Sequence, residues 1–210
     1  LHDMIRKTIK DHKNIIFNGN GYDDEWIKEA TENRGLLNYR TTADCVPHLL
    51  DKKNVDMLTS QGVFKESEIK SRYEITLENY CKSVIIEANT MVDMAKTEIA
   101  PAIEAYALEL ANTASAKRVL DANILCNYET NLVKKLSALT DCIAVKVDAL
   151  EQALLRVNAI NDIGEQANAI RDDVLVKMSE LRLPCDEAET LTAKKYWPFP
   201  TYGDLLFGVK

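Results

Sequence analysis

Three histidines (His2, His12, His48) and five cysteines (Cys45, Cys81, Cys126, Cys142, Cys185) are the side chains of this 210-residue chain best suited to nucleophilic or metal chemistry. A cysteine nucleophile needs a base within hydrogen-bond reach. His48 follows Cys45 by three positions, but Pro47 intervenes, and nearness along a chain is poor evidence for nearness in a site. The cysteines form no C-x-x-C pair, which argues against a zinc site or a disulfide framework and for a reducing cytoplasm. Cys81, Cys126 and Cys142 fall in helical patterns, where cysteine acts as a small buried hydrophobe. Bundles hold di-iron centres through Glu-x-x-His motifs. Glu74, Glu78, Glu87, Glu98 and Glu104 have no histidine three residues on, and read as solvated faces or as ion pairs with Lys70, Arg72 or Lys82. Asn18-Gly19-Asn20-Gly21 lacks the third glycine and the lysine-serine pair of a phosphate loop, so it reads as a turn. No carboxylate pair stands out as an acid–base couple. No catalytic, cofactor-binding or metal-ligating residue is therefore assigned.

The elements around these residues read as all-α. No glycine occurs between Val63 and Ile163, and Pro101 is the one proline there. Breakers end helices, so their absence calls for long ones. Steps of three and four from Ile69 land on Tyr73, Leu77, Tyr80, Val84, Ala88, Met91, Ala95, Ile99, Ala102, Tyr106 and Leu110, an eleven-residue period with little left-handed supercoiling. This predicts a helix from Ser67, as N-cap, to about Asn112, with Pro101 removing a backbone bond near Thr97 and bending it. A second stripe runs Leu125, Tyr128, Leu132, Leu136, Leu139, Ile143, Val147, Leu150, Leu154, Val157. A third runs Ile163, Ala167, Ile170, Val174, Met178, Leu181, with Asn161 or Asp162 as cap. Pro184 is expected to open a fourth short helix through Lys195. Such helices, joined by short turns, form an antiparallel bundle over residues 63–195.

Residues 1–62 read as a helical connector. A short helix spans His2 to His12, Asp23 or Asp24 caps a helix through Arg34 that Gly35 closes, and Thr41 or Thr42 caps another. Residues 196–210 read as an extended docking tail. Tyr196 to Phe207 holds five of the fourteen aromatic residues, and its two prolines argue against a helix. An aromatic segment of this kind must be buried against its own bundle or against another domain or subunit. Trp197, Phe199, Tyr202 and Phe207 are the interface candidates.

Composition narrows the partners. Hydrophobic residues make up 46% and charged residues 28%, ordinary for a globular chain with its own core. The net charge of −7 disfavours nucleic acid and anionic membranes. No apolar run approaches the roughly 20 residues of a membrane span, and no signal-peptide pattern opens the chain. A first residue of Leu1 reads as a fragment or a processed chain.

Several stretches carry a resemblance. They are Lys10-Asp11-His12-Lys13-Asn14-Ile15-Ile16-Phe17-Asn18-Gly19-Asn20-Gly21-Tyr22, Asp24-Glu25-Trp26, Thr41-Thr42-Ala43-Asp44, Ser71-Arg72-Tyr73-Glu74-Ile75, Ile86-Glu87-Ala88, Met94-Ala95-Lys96, and the tail from Tyr196 to Phe207. In this order they resemble the C-terminal region of type III glutamine synthetases, the large bacterial form, over nearly the whole chain; residues 111–183 add little to the likeness. The resemblance implies an ATP- and magnesium-dependent ligase that joins ammonia to the side-chain carboxylate of glutamate through γ-glutamyl phosphate. It implies double-ring dodecamers and a preceding β-rich catalytic domain that holds the glutamate, ATP and metal residues. No cofactor is expected in these 210 residues. The expected role is subunit architecture and oligomer assembly, in contact with the catalytic domain of the same chain and with neighbouring subunits. The isolated chain is expected to fold, and to self-associate more than its charge suggests. The competing class is a free-standing helical interaction module. A helical enzyme would instead converge polar residues inside the bundle; the stripe tyrosines Tyr73, Tyr80, Tyr106 and Tyr128 are expected to reach the bundle edge or a backbone partner with their hydroxyls.

Overall fold

A computed structural model describes residues 1–208, without the side chain of Tyr202; among the described residues there is no strand. The connector holds α1 (His2–Asp11), α2 (Asp24–Lys28) with a π turn at Glu29–Asn33, α3 (Thr42–Cys45), a 3₁₀ turn at Val46–Leu50, and α4 (Lys52–Ser60). Its local signals act as read. The Asp23 carboxylate accepts the Glu25 N–H at 3.1 Å, and the Thr41 hydroxyl accepts that of Asp44 at 3.2 Å. Gly35 takes φ +67°, and the Leu36 N–H closes the helix end on the Ala30 carbonyl at 2.9 Å. Helix α1 buries no residue. From Ala43 and Val46 onward the connector joins the main core.

The bundle begins with one rod: α5 (Glu66–Met94), a π turn at Ala95–Ile99, and α6 (Ala100–Leu120). At ~1.5 Å per residue it is about 80 Å long, longer at both ends than the sequence suggests. The cap is Lys65 rather than Ser67: its backbone N–H donates to the Glu68 carboxylate at 2.7 Å, so Ser67 falls inside the first turn. Pro101 does not break the rod. The π turn before it pairs the Ala100 N–H with the carbonyl of Ala95, five residues back. Pro101 therefore sits as at the start of a fresh helix, where its missing N–H costs little.

After a turn, α7 (Asn127–Asn158) returns along the rod, and α8 (Ile163–Ala169), a π turn at Ile170–Val174 and α9 (Leu175–Leu191) form the third helix. Ion pairs give the directions. Lys96 meets Glu151 at 2.7 Å, and Lys117 meets Glu129. Lys135, Lys146 and Arg156 meet Glu187, Glu180 and Asp173 at 2.7, 2.7 and 2.6 Å. Partner numbers fall as residue numbers rise, so each contact is antiparallel and the three helices run up, down and up. Asp162 caps the third, accepting the Glu165 N–H at 2.9 Å.

Four expectations are corrected here. Pro184 lies inside α9, buried, and no separate fourth helix starts there; packing of the surrounding face holds the helix through a proline that costs ~3 kcal/mol in an exposed helix interior. Leu125 and Tyr128 are exposed at the α6–α7 turn and start no core stripe. Cys142 is exposed, because it points away from the Leu139–Ile143–Val147 face. The tail is not wholly extended: both prolines precede a short helix, α10 (Tyr202–Leu206), which Thr201 and Asp204 cap reciprocally.

The core is centred on Leu77, Ile103, Leu136, Ile143, Leu150, Ile170 and Leu181, all fully buried; each contributes about 1.5–3 kcal/mol relative to exposure. The first stripe read from sequence is one flank of the buried face. Tyr80, Met91, Ala102 and Tyr106 are half-buried, while their neighbours Cys81, Val92, Ile103 and Ala107 take the central seats. A rod packed against two helices buries a broader face than one stripe of spacing marks out.

Candidate docking groove under the aromatic tail

The tail leaves α9 at Thr192, whose buried hydroxyl has no partner. It then folds back on α6. The Lys195 ammonium meets the Glu109 carboxylate at 2.6 Å, and the Tyr196 hydroxyl donates to the same carboxylate. These two donors hold the Glu109 carboxyl below the usual range, and Glu109 raises both Lys195 and Tyr196. The Tyr196 ring leans on Tyr106, centroids 5.5 Å apart, and Lys195 sits 4.9 Å from the centre of the Tyr196 ring.

This anchor delivers Trp197 and Phe199 to the bundle, where they meet edge to face at 6.2 Å and pack on the core. They close one wall of an apolar groove of about 460 Å³. Met91 and Met94 of α5, Ala95 and Ile99 of the π turn, and Met178 and Cys185 of α9 line the rest. Glu87, Asp186 and Glu189 stand on its rim with Arg182, which donates to Asp186 at 3.1 Å. The Trp197 indole N–H is buried with no partner. Burial pushes the Cys185 thiol up to about 11, which keeps it protonated. The groove suits apolar side chains.

Of the four interface candidates, the structure brings Trp197 and Phe199 together. Phe207, at the end of α10, is 81% exposed and touches no core. The side chain of Tyr202 lies outside the described residues. The sequence reading missed Glu109 and Tyr196 as the tail's polar anchor, since nothing local links positions 87 residues apart. It also missed Arg171, whose guanidinium bridges Asp44 at 2.5 Å and Asp172 at 2.7 Å. That bridge ties α3 of the connector to the third helix; it lowers the Asp172 carboxyl, while the Asp44 carboxyl is lowered first by the Thr41 hydroxyl and then by Arg171. Tyr80 lies within its field, its phenol raised chiefly by burial and its hydroxyl without a partner.

The chemistry-bearing residues of the connector have structural roles. His48 Nδ1 pairs with Asp51 at 2.9 Å and the ring stacks on Tyr39 at 4.4 Å, while the nearest polar partner of the Cys45 thiol is the Tyr39 carbonyl at 3.6 Å. Gly19 lies on the Phe17 ring, which stacks on Trp26 at 3.7 Å under the Arg34 guanidinium. The Asn20 side chain closes the turn on the Tyr22 N–H at 3.1 Å. Among the described residues, no group of three or more His, Cys, Asp or Glu side chains is placed to hold a metal ion, and no helix is long and apolar enough to cross a membrane.

The described residues form an all-α bundle with a connector at one end and an aromatic tail strapped along its side. Comparison with known proteins places it. The model of the glutamine synthetase C-terminal domain family matches residues 1–118, more than half of the chain, and the chain belongs to that family. It is 36% identical over 210 residues to a glutamine synthetase of Butyrivibrio fibrisolvens, covering all of this chain and 30% of that protein. A type-3 glutamine synthetase of Dictyostelium discoideum is 27% identical over 211 residues, 99% of this chain and 29% of its own. A glutamine synthetase of Bacteroides fragilis is 28% identical over 208 residues, 97% of this chain and 28% of its own. The chain thus spans about 30% of the length of the curated relatives it matches.

Proposed function

We propose that this chain is the helical C-terminal region of a type III glutamine synthetase, and that it serves subunit architecture and assembly while the reaction is carried out elsewhere in the longer polypeptide. That reaction is the ATP-dependent ligation of ammonia to glutamate. The observation that carries the reading is the pattern of likeness: relatives named glutamine synthetase match this chain from end to end, yet it fills under a third of them. In this reading ATP and magnesium are held by the catalytic part, and we place the whole protein in the cytoplasm as an oligomer, a double-ring dodecamer by resemblance.

The exposed stripe of α1, with Met4, Ile5 and Ile9 turned to solvent, supports this reading: it is a helix face made to be covered, and the catalytic part is its partner. The test uses the full-length enzyme, intact and lacking residues 196–207, with glutamine formation and sedimentation measured on both. An intact enzyme that forms glutamine supports the ligase, and loss of the ring in the deletion supports the tail's role in assembly. Absence of glutamine formation from the intact protein would overturn the first, and unchanged sedimentation of the deletion the second.

A further inference from the structure

The groove under the tail has the dimensions and the walls of a small-molecule site. Its volume of about 460 Å³ falls within the roughly 300–1,000 Å³ of such pockets. The backbone leaves it open at this level. The rod makes its π turn here, a distortion that recurs at functional sites. Ala95, the first residue of that turn, lines the groove with a side chain too small to fill it. Met91, Met94 and Met178 supply unbranched, polarisable side chains from two facing helices, and such side chains re-pack around different shapes. Trp197 and Phe199 of the tail close the remaining wall.

We infer that this groove binds a small organic cation, an apolar body that carries a protonated amine. The walls select the apolar body, and the rim selects the charge. Glu87 of α5 and Asp186 and Glu189 of α9 stand there against one cation, Arg182. Arg182 donates to Asp186 at 3.1 Å, which neutralises that pair. Glu87 and Glu189, both exposed, are left without an ion-pair partner among the described residues. One rises from each helical wall, so two negative charges flank an apolar cleft, where low-dielectric walls focus their field. An anion would find no free donor in the lining. The Thr90 hydroxyl donates to the Ile86 carbonyl at 2.8 Å, Arg182 is spent on Asp186, and the Trp197 N–H is buried. An occupant would touch α5, α9 and the tail at once, and so tie the tail to the bundle. A ligand that binds only the closed form lowers the open fraction by 1 + [L]/Kd. The inference does not depend on the ligase reading.

The experiment isotope-labels the methionine methyl groups of the whole chain for NMR. It titrates three probes that share one apolar body: phenylbutylamine, phenylbutanol and phenylbutyrate, at about pH 7, where the first is a cation and the last an anion. The chain has five methionines, so the two outside the groove, Met4 and Met57, are internal controls. The amine should move the Met91, Met94 and Met178 signals with a Kd of about 1 mM and leave the controls in place. It should bind about fivefold more tightly than the alcohol, and the carboxylate more weakly than either. Glu87→Gln with Glu189→Gln should bring the amine down to the affinity of the alcohol, whose own affinity stays. Thr90→Trp, which fills the groove from an exposed position, should abolish all three titrations. The Tyr196 and Trp197 amides donate to the Ala193 carbonyl at 2.8 and 3.3 Å. Amine at about ten times Kd should slow their exchange roughly elevenfold. Groove methyls that stay still, or controls that move equally, would overturn the site. A carboxylate that binds as well as the amine would overturn the assigned charge, and unchanged exchange at Trp197 the bridging of tail and bundle.

Discussion

If Trp197 is the side chain that docks the tail, trimming it to alanine and to phenylalanine should have opposite effects. Alanine removes a ring that packs on the core and on Phe199. Taking roughly 120 Å² of buried apolar surface at ~25 cal/mol per Å² gives about 3 kcal/mol, an upper value because the undocked tail keeps some contacts. Phenylalanine keeps a ring and loses roughly 40 Å², about 1 kcal/mol. It also deletes the indole N–H, which is buried without a partner and whose desolvation costs ~1–3 kcal/mol. The two terms nearly cancel or favour the variant. The assay is trypsin cleavage after Lys194 and Lys195, exposed at the tail's root. Where opening and closing are fast, cleavage follows the open fraction, and ~3 kcal/mol corresponds to a roughly 150-fold faster cut. Trp197→Ala should show that acceleration with little change in the melting of the bundle, and Trp197→Phe should be cut no faster than the parent. Cleavage of Trp197→Ala at the parental rate would mean that Trp197 does not hold the tail. Cleavage of Trp197→Phe as fast as Trp197→Ala would mean that the indole N–H has a partner after all.

Further expectations follow from single sites. Asp204 is held at about 2, first by Lys194 and then by the Thr201 backbone and side chain. Its unfolded value is near 3.9, so its support of α10 is complete above about pH 4 and is lost as pH falls toward 2; a carboxyl NMR titration with a midpoint near 4 would contradict this. Of the five thiols, exposed Cys45 and Cys142 should react at once with a disulfide reagent, and buried Cys81, Cys126 and Cys185 only on opening; an initial burst of five would contradict the packing. Gly19→Ala would set a methyl 2.5 Å from the Phe17 ring, so the Phe17–Trp26 stack must part, and Trp26 fluorescence should shift; an unchanged spectrum would show that the turn can yield.

What could be read along the chain was local. Asp23, Thr41 and Asp162 bond backbone groups two or three residues away, and Gly35 meets a demand for positive φ, so each signal sits beside its effect. Periodicity showed three long helices but not which residues lie centremost, because that depends on how many neighbours pack around each helix. The error at Leu125 and Tyr128 is instructive. They continue the α7 stripe in spacing, but the partner rod ends at Leu120 and both stay exposed. The tail helix had a readable sign in Thr201 and Asp204, a capping pair three apart that the two prolines overshadowed. Arg171 with Asp44, separated by 127 positions, had no sign at all.

The attachments add polar ties to the apolar burial they share with the bundle, and that difference is itself testable. The bundle is held by apolar burial along three helices. The connector adds the Arg171–Asp44 pair to the burial of Ala43 and Val46, and the root of the tail adds Glu109 with Lys195 and Tyr196 to the packing of Trp197 and Phe199. These pairs are partly solvated, so salt screens them, with a Debye length falling from about 10 Å at 0.1 M to about 3 Å at 1 M. Apolar burial does not weaken in the same way. Raising sodium chloride to about 1 M should therefore speed amide exchange in α3 and trypsin cleavage at Lys194, while exchange at Leu77, Ile143 and Leu150 stays slow. Substituting Arg171→Ala should reproduce the effect at α3 alone, and Glu109→Gln at the tail alone. If salt loosened the central helices as early as the appendages, the bundle would depend on its interhelical ion pairs, and the division between an apolar frame and polar fastenings would be wrong.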